Sequence, residues 1–187
     1  MISSLSSDNF AELHQPDIKL ILTISTTVQE PPDLLLLDLP LPNPIEPIRH
    51  CFVHTSLHNA VAQSKLKSIS SKTDFLIFRG KNIKVSILTA ETMSREFTIE
   101  QSLSKWKETI DFLDTHQIIA IQIPASIFIN VCAPRKFRKV FGIEPLTLSL
   151  YGPDRDITVG ETYHSNTGLL RKMNETRMLY IIIGFLK

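Results

Sequence analysis

Glycine is scarce in this chain, six among 187 residues, and the six never cluster. That leaves no glycine-rich loop to cradle a phosphate and no Gly-x-Ser-x-Gly elbow to expose a nucleophile. His-Glu-x-x-His and Cys-x-x-Cys are absent as well. Cysteine occurs twice, as Cys51 and Cys132, far apart and in apolar contexts, which predicts buried free thiols in a reducing compartment and no disulfide framework. The longest apolar run, residues 178–186, is nine residues long, well short of the roughly 20 that a membrane-spanning helix needs, and reads as a buried terminal strand. The opening Met1-Ile2-Ser3-Ser4 has no cationic start, no apolar run and no glycine at position 2, so neither a secretory leader nor N-myristoylation is expected. His50, His54 and His58 would share one face of a helix, yet Pro47 and the β-leaning Phe52-Val53 oppose a helix there and no carboxylate completes a ligand set. The sequence therefore predicts no catalytic centre, no metal site and no cofactor.

Bases are also missing from the first quarter of the chain. Residues 1–48 hold one, Lys19, against seven acids, a net of −6, whereas residues 49–187 hold nineteen bases against twelve acids, a net of +7. An acidic segment is thus joined to a basic body, which bears on partners and self-association more than on fold. Length and a 43% hydrophobic composition suffice for one packed domain. Residues 1–17 are Ser-rich and weakly patterned, a mobile arm with at most a short helical turn near residues 10–14, and residues 18–187 form the globular body.

Along the body, residues 18–28 are rich in β-branched side chains and predict the first strand. Six prolines among leucines make residues 30–48 an extended, polyproline-like segment, either a linker over the core or a docking motif. A helix is expected over 56–69 and a second from Thr98, with Leu103, Trp106, Ile110 and Leu113 at helical spacing and Trp106 as a core anchor. Residues 75–78 and 83–88 around Arg79-Gly80-Lys81-Asn82 read as a hairpin with cations at its tip. Residues 118–123, 126–131, 146–151 and 178–185 read as strands, and 168–176 as a short helix whose Arg171, Lys172 and Arg177 face water. Strands and helices mix without a βαβ repeat. The expected class is α+β: a single compact domain with a mixed or antiparallel sheet packed against two or three helices.

The most informative stretch is Ala133-Pro134-Arg135-Lys136-Phe137-Arg138-Lys139-Val140-Phe141-Gly142-Ile143, a dense cationic turn set against the alternating residues 146–151. Each cation near an anionic membrane contributes on the order of 1 kcal/mol, and the same charges would attract nucleic-acid phosphates in a salt-dependent way. Phe137 and Phe141, at i and i+4, are placed to pack inward or wedge at a subunit contact and are poorly placed to stack bases.

The order of residues 19–28, 52–62, 75–88, 134–143, 146–151, Tyr163-His164 and 178–185 resembles the matrix proteins of rhabdoviruses, with order and spacing carrying the likeness from about Ile18 onward. The resemblance implies a structural protein of the virion, present in the host cytoplasm and at the inner face of host membranes, with a nuclear phase left open. Such a protein polymerises, condenses the viral nucleoprotein–RNA complex, and links it for budding to a membrane carrying the viral glycoprotein and its tail. Two departures from the animal-virus members stand out: residues 1–17 hold no lysine, and Pro31-Pro32-Asp33-Leu34 lacks the tyrosine of a Pro-Pro-x-Tyr motif, which removes the basis for recruiting WW-domain ligases. The short arm looks more like a plant-infecting member.

Candidate residues follow from both lines. Arg135, Lys136, Arg138 and Lys139, with Lys81 and Lys84 of the expected hairpin, are assigned to membrane and nucleocapsid binding. Phe10 and Leu13 are assigned as apolar anchors of self-association with Asp8 and Glu12 as steering charges, and Met93 and Phe97 as docking groups in residues 89–97. A movement protein or other non-specific single-stranded nucleic-acid binder remains the main alternative. A hydrolase would need a pocket joining His116 or His164 to a carboxylate.

Overall fold

The computed structural model describes residues 2–6, 17–27, 48–57, 72–90, 96–125, 133–148, 155–165, 168–172 and 178–187. In chain order these form β1 (Ile2–Ser6), β2 (Ile18–Thr27), β3 (Ile48–Leu57), β4 (Lys72–Arg79), β5 (Ile83–Ala90), α1 (Glu96–Glu108), β6 (His116–Pro124), α2 (Ala133–Phe141), β7 (Leu146–Thr147), β8 (Arg155–Ser165), β9 (Gly168–Lys172) and β10 (Met178–Leu186). The class is α+β, as expected, with two sheets among the described residues. The backbone groups into two compact units, Met1–Lys81 with Leu150–Lys172, and Asn82–Ser149 with Met173–Lys187.

The first unit carries a six-stranded sheet in the order β1-β4-β2-β3-β8-β9. Its centre is β2, whose Ile18, Leu20, Ile21 and Leu22 are all buried, flanked by buried Ile77 and Phe78 of β4 and Cys51 and Val53 of β3. A strand buried on both faces reads as a continuous apolar run, which is why residues 18–28 were recognisable. β2 and β3 are parallel and the remaining pairs antiparallel. A parallel pair needs a crossover of a dozen or more residues. The proline-rich stretch falls in that connection, which lies outside the described residues. Cys51 is buried and in no disulfide, as its apolar neighbours imply, and Cys132 lies outside the described residues.

Several expectations are corrected here. β3 runs on through Ser56 and Leu57, so the helix expected over 56–69 does not begin there, and residues 58–71 lie outside the description. His50 and His54 sit on strand β3, in keeping with the β-leaning Phe52-Val53, and lie four residues and about 13 Å apart. Residues 168–172 form β9, paired antiparallel with β8, where a short helix was expected. The start of the N-terminal arm, Ile2–Ser6, is an edge strand paired with β4, and the arm's other candidate residues, Asp8, Phe10, Glu12 and Leu13, lie outside the described residues. The expected hairpin is not one: β4 pairs with β1 and β2, while β5 pairs with β10. The turn between them is tied at its two ends to different strands, the Gly80 amide donating to the Asp17 carbonyl at 3.0 Å and the Leu186 amide to the Asn82 carbonyl at 3.0 Å.

The second unit carries the sheet β5-β10-β6-β7. Central β10 is buried without a break from Met178 to Ile183, confirming the terminal apolar run as a core strand. Met178, Tyr180 and Ile182 meet a cluster of Ile99, Leu103, Trp106 and Ile110 with Ala133 and Phe137, so both helices pack on this face. Trp106 is the core anchor expected of it, its indole N–H donating to Ser86 Oγ at 2.8 Å. α1 ends at Glu108, before Ile110 and Phe112, which enter the core from the turn that follows. Gly184 is required there by close approach: a Cβ at that position would lie 2.6 Å from Phe112 Cδ2 and 3.0 Å from His116 Cβ.

Candidate anionic-surface interface

The cationic stretch is a nine-residue helix, α2, where a turn was expected. The spacing explains the helix: Ala133, Phe137 and Phe141 recur every four residues, and Pro134 is tolerated in a first turn, whose amides have no partner within the helix. Against it stand like charges three apart, Arg135 with Arg138 and Lys136 with Lys139, and a first turn holding no acid. Packing decides the outcome, since Phe137 is fully buried, stacked on Phe141 at 4.5 Å between ring centres and on Tyr180 at 5.7 Å. Trp106 meets Phe141 edge-on at 5.5 Å.

The helix stops at Gly142, whose φ of 77° is the left-handed conformation that glycine adopts without strain. Its amide donates to the Arg138 carbonyl at 2.8 Å. Lys107 of α1 donates to the Val140 carbonyl at 2.7 Å and lies over the Phe141 ring at 5.8 Å, a cation placed where the C-terminal end of a helix favours one.

Arg135, Arg138 and Lys139 are exposed and Lys136 half-exposed on the outward side of α2. Lys139 pairs with Glu100 at 2.6 Å and Arg138 with Glu144 at 3.7 Å. At exposed positions such pairs contribute about 1 kcal/mol or less and exchange readily for another anion. Leu146 on β7, just beyond the helix, is 64% exposed. Four cations on the outward side of one helix can therefore meet an anionic surface together.

Lys84 and Lys81 do not join this helix. Lys84 pairs with Asp111 at 3.0 Å and lies over the Phe112 ring at 5.9 Å. That hydrogen bond holds the Asp111 carboxyl below its ordinary range. Lys84 is in register with Gly184, four residues along β10 from Tyr180, so its Cα lies about 13 Å from the strand position against which α2 packs. Lys81 is exposed in the turn before β5. Met93 lies outside the described residues, and Phe97 falls on the first turn of α1. Sequence reasoning missed Lys107, although a base in the last turn of an amphipathic helix is the signal that finds it. It also missed Glu100 and Glu144, which only the fold brings to α2.

Two buried polar groups stand out on the sheet, Tyr180 against Phe137 of α2 and Gln122 opposite it in register. Gln122 and Tyr180 are cross-strand partners on β6 and β10, and neither the Gln122 amide nor the Tyr180 hydroxyl has a hydrogen-bond partner. Burial pushes the Tyr180 phenol well above its ordinary range, so it stays protonated. His116, weighed above as part of a pocket, is buried with Nδ1 2.8 Å from the Thr115 hydroxyl and its ring edge-on to Phe112. Among the described residues no group of three or more His, Cys, Asp or Glu could hold a metal ion, and no helix is long and apolar enough to cross a membrane. No family model matches this chain, and no curated protein matches its sequence.

Proposed function

We propose that this chain is a self-associating matrix-type structural protein that lies peripherally on an anionic membrane through α2 and links that surface to a nucleoprotein–RNA complex. The observation that carries the reading is α2 itself, with Arg135, Lys136, Arg138 and Lys139 turned outward on a helix fastened by Phe137. Each such cation is worth on the order of 1 kcal/mol beside acidic lipid. The likeness in order and spacing to rhabdovirus matrix proteins supports the same reading, and with it a place in the virion, contact with a viral glycoprotein tail, and budding. Sedimentation with vesicles containing phosphatidylserine, compared with binding to single-stranded RNA at matched salt, tests it. Vesicle binding that exceeds binding to naked RNA is the expected result. Tight, cooperative binding to naked RNA with no affinity for vesicles would instead make the chain a single-stranded nucleic-acid binder.

Self-association rests on the N-terminal arm. β1 is an edge strand whose five residues pair with Ser6↔Asp74 through Ile2↔Phe78 of β4, and the same edge of β4 can accept β1 from a second copy. Ten residues separate β1 from Asp17. They include Asp8, Phe10, Glu12 and Leu13, the acidic and apolar groups assigned to steer and anchor the exchange. Deleting residues 1–17 is expected to abolish salt-sensitive self-association while lowering the melting temperature by only a few degrees, about what loss of a short edge strand costs. Analytical ultracentrifugation and a thermal melt on the same truncated protein read both quantities. A truncated chain that polymerises normally would sink the exchange.

A further inference from the structure

We infer that α2 is a releasable membrane insert: on an anionic lipid surface it swings off the β5-β10-β6-β7 sheet and lays Phe137, Val140 and Phe141 into the headgroup region, with its cations among the phosphates. The inference rests on the membrane reading above and adds a moving part to it.

Three observations point the same way. Among the described residues α2 has its apolar and charged side chains on opposite faces: Ala133 and Phe137 are buried, Val140 and Phe141 half-buried, and Arg135, Arg138 and Lys139 exposed. A basic helix of this pattern suits the plane of an acidic membrane interface. The sheet beneath holds α2 imperfectly, because Gln122 Oε1 and Nε2 and Tyr180 Oη are buried without partners. Buried polar atoms are almost always bonded, and an unbonded one forfeits the hydration it would have in water. Release of α2 lets water reach all three, which offsets part of the lost packing. Two of the polar ties that must break, the Lys139–Glu100 pair and the Lys107 contact to the Val140 carbonyl, lie at exposed positions where such ties contribute little. Membrane phosphates replace Glu100 as the partner of Lys139.

The chain carries its own reporter. Trp106 is the single tryptophan, it touches Phe141 edge-on, and it is only 6% exposed. In the full chain, binding to vesicles of phosphatidylserine and phosphatidylcholine is expected to change the Trp106 emission maximum and raise its quenching by acrylamide several-fold. Binding of single-stranded RNA is expected to leave both unchanged. Vesicle-bound protein with the emission and quenching of the free protein would overturn release while leaving peripheral attachment standing. Failure to bind vesicles at all would remove the membrane reading and the insert with it, and an identical change with RNA would show that lipid is not the trigger.

The variant pair Gln122→Met and Tyr180→Phe separates the buried polar groups from the charges. Together they remove the unbonded atoms while keeping shape, so the melting temperature is expected to rise by about 4 °C or more. The fraction of vesicle-bound protein with altered Trp106 emission is expected to fall about tenfold, the effect of a 1.4 kcal/mol shift toward the docked helix. A double variant that releases α2 as readily as the native chain would overturn the inference.

Discussion

Changing Arg135, Lys136, Arg138 and Lys139 together to serine is expected to weaken binding to phosphatidylserine-containing vesicles about a hundredfold while leaving the fold in place. Four cations at about 1 kcal/mol each set an upper limit near a thousandfold. The expected loss is smaller because Arg138 and Lys139 already share part of their charge with Glu144 and Glu100. Those acids also make the four positions unequal. Removing Lys139 alone leaves Glu100 facing the membrane, so the single change should cost more than its own attraction. Glu100→Gln and Glu144→Gln should each tighten binding by a few fold. The fold survives because the four side chains point outward, Arg138 and Lys139 with side chains 72% and 70% exposed, and the packing of α2 runs through Phe137. Binding should also fade as the Debye length contracts from about 10 Å at 0.1 M salt to about 3 Å at 1 M. Vesicle co-sedimentation across a salt series, with a thermal melt of the same variants, measures each part. Binding that survives the fourfold change in moderate salt would mean that α2 is not the attachment site.

What the sequence made legible was whatever is buried on both faces or repeats cleanly. β2 and β10 are rich in β-branched and aliphatic residues in sheet interiors, and β10 runs from Met178 to Ile183 without a polar break. α1 announced itself through Leu103 and Trp106 at helical spacing, both buried, while Ile110 and Leu113 of the same expected face fall beyond its end at Glu108. Short or half-polar elements were not legible. β8 and β9 pair through residues such as Thr162 with Arg171 and His164 with Leu169, a pattern in which strand partners outweigh weak local preference. Gly168-Leu-Leu-Arg-Lys can be written as a helix or a strand, and only the neighbouring strand decides. The Gly80-Lys81-Asn82 turn has hairpin composition, but its hydrogen bonds lead to Asp17 and Leu186, partners far away in sequence.

The candidate site was half legible for a related reason. Charge density needs no fold to be seen, so the four cations were evident from the residues alone. Their arrangement was misread because like charges three apart and a first turn without an acid oppose a helix locally, and the Phe137 contacts that override them come from Tyr180, more than forty residues later. Lys84 was grouped with the cations on charge alone, whereas Asp111 claims it across a separation of 27 residues. Gln122 and Tyr180 gave no signal, since an unbonded buried group is defined by what surrounds it.

Phe137 is the residue on which α2 depends, and Phe137→Ala is expected to cost about 3–5 kcal/mol of stability, the usual toll for emptying a buried aromatic site. Native domains are ordinarily stable by about 5–15 kcal/mol, and a loss of that size is a large share of such a total. The ring is fully buried, stacked between Phe141 and Tyr180, and it is the one large side chain that joins α2 to the sheet at zero exposure. Its removal leaves the like charges of Arg135 with Arg138 and Lys136 with Lys139 without the packing that outweighs them, so the helix should fray as well as loosen. Trp106 would lose its edge contact with Phe141 and become accessible to quencher in free solution, without any vesicle. Phe137→Leu keeps most of the apolar volume and should recover more than half of the lost stability. Urea unfolding of the two variants beside the native chain, followed through Trp106, gives both the energy and the exposure. A Phe137→Ala protein within 1 kcal/mol of native stability and with native emission would show that the sheet holds α2 by other means, and the account of how this helix forms would fail with it.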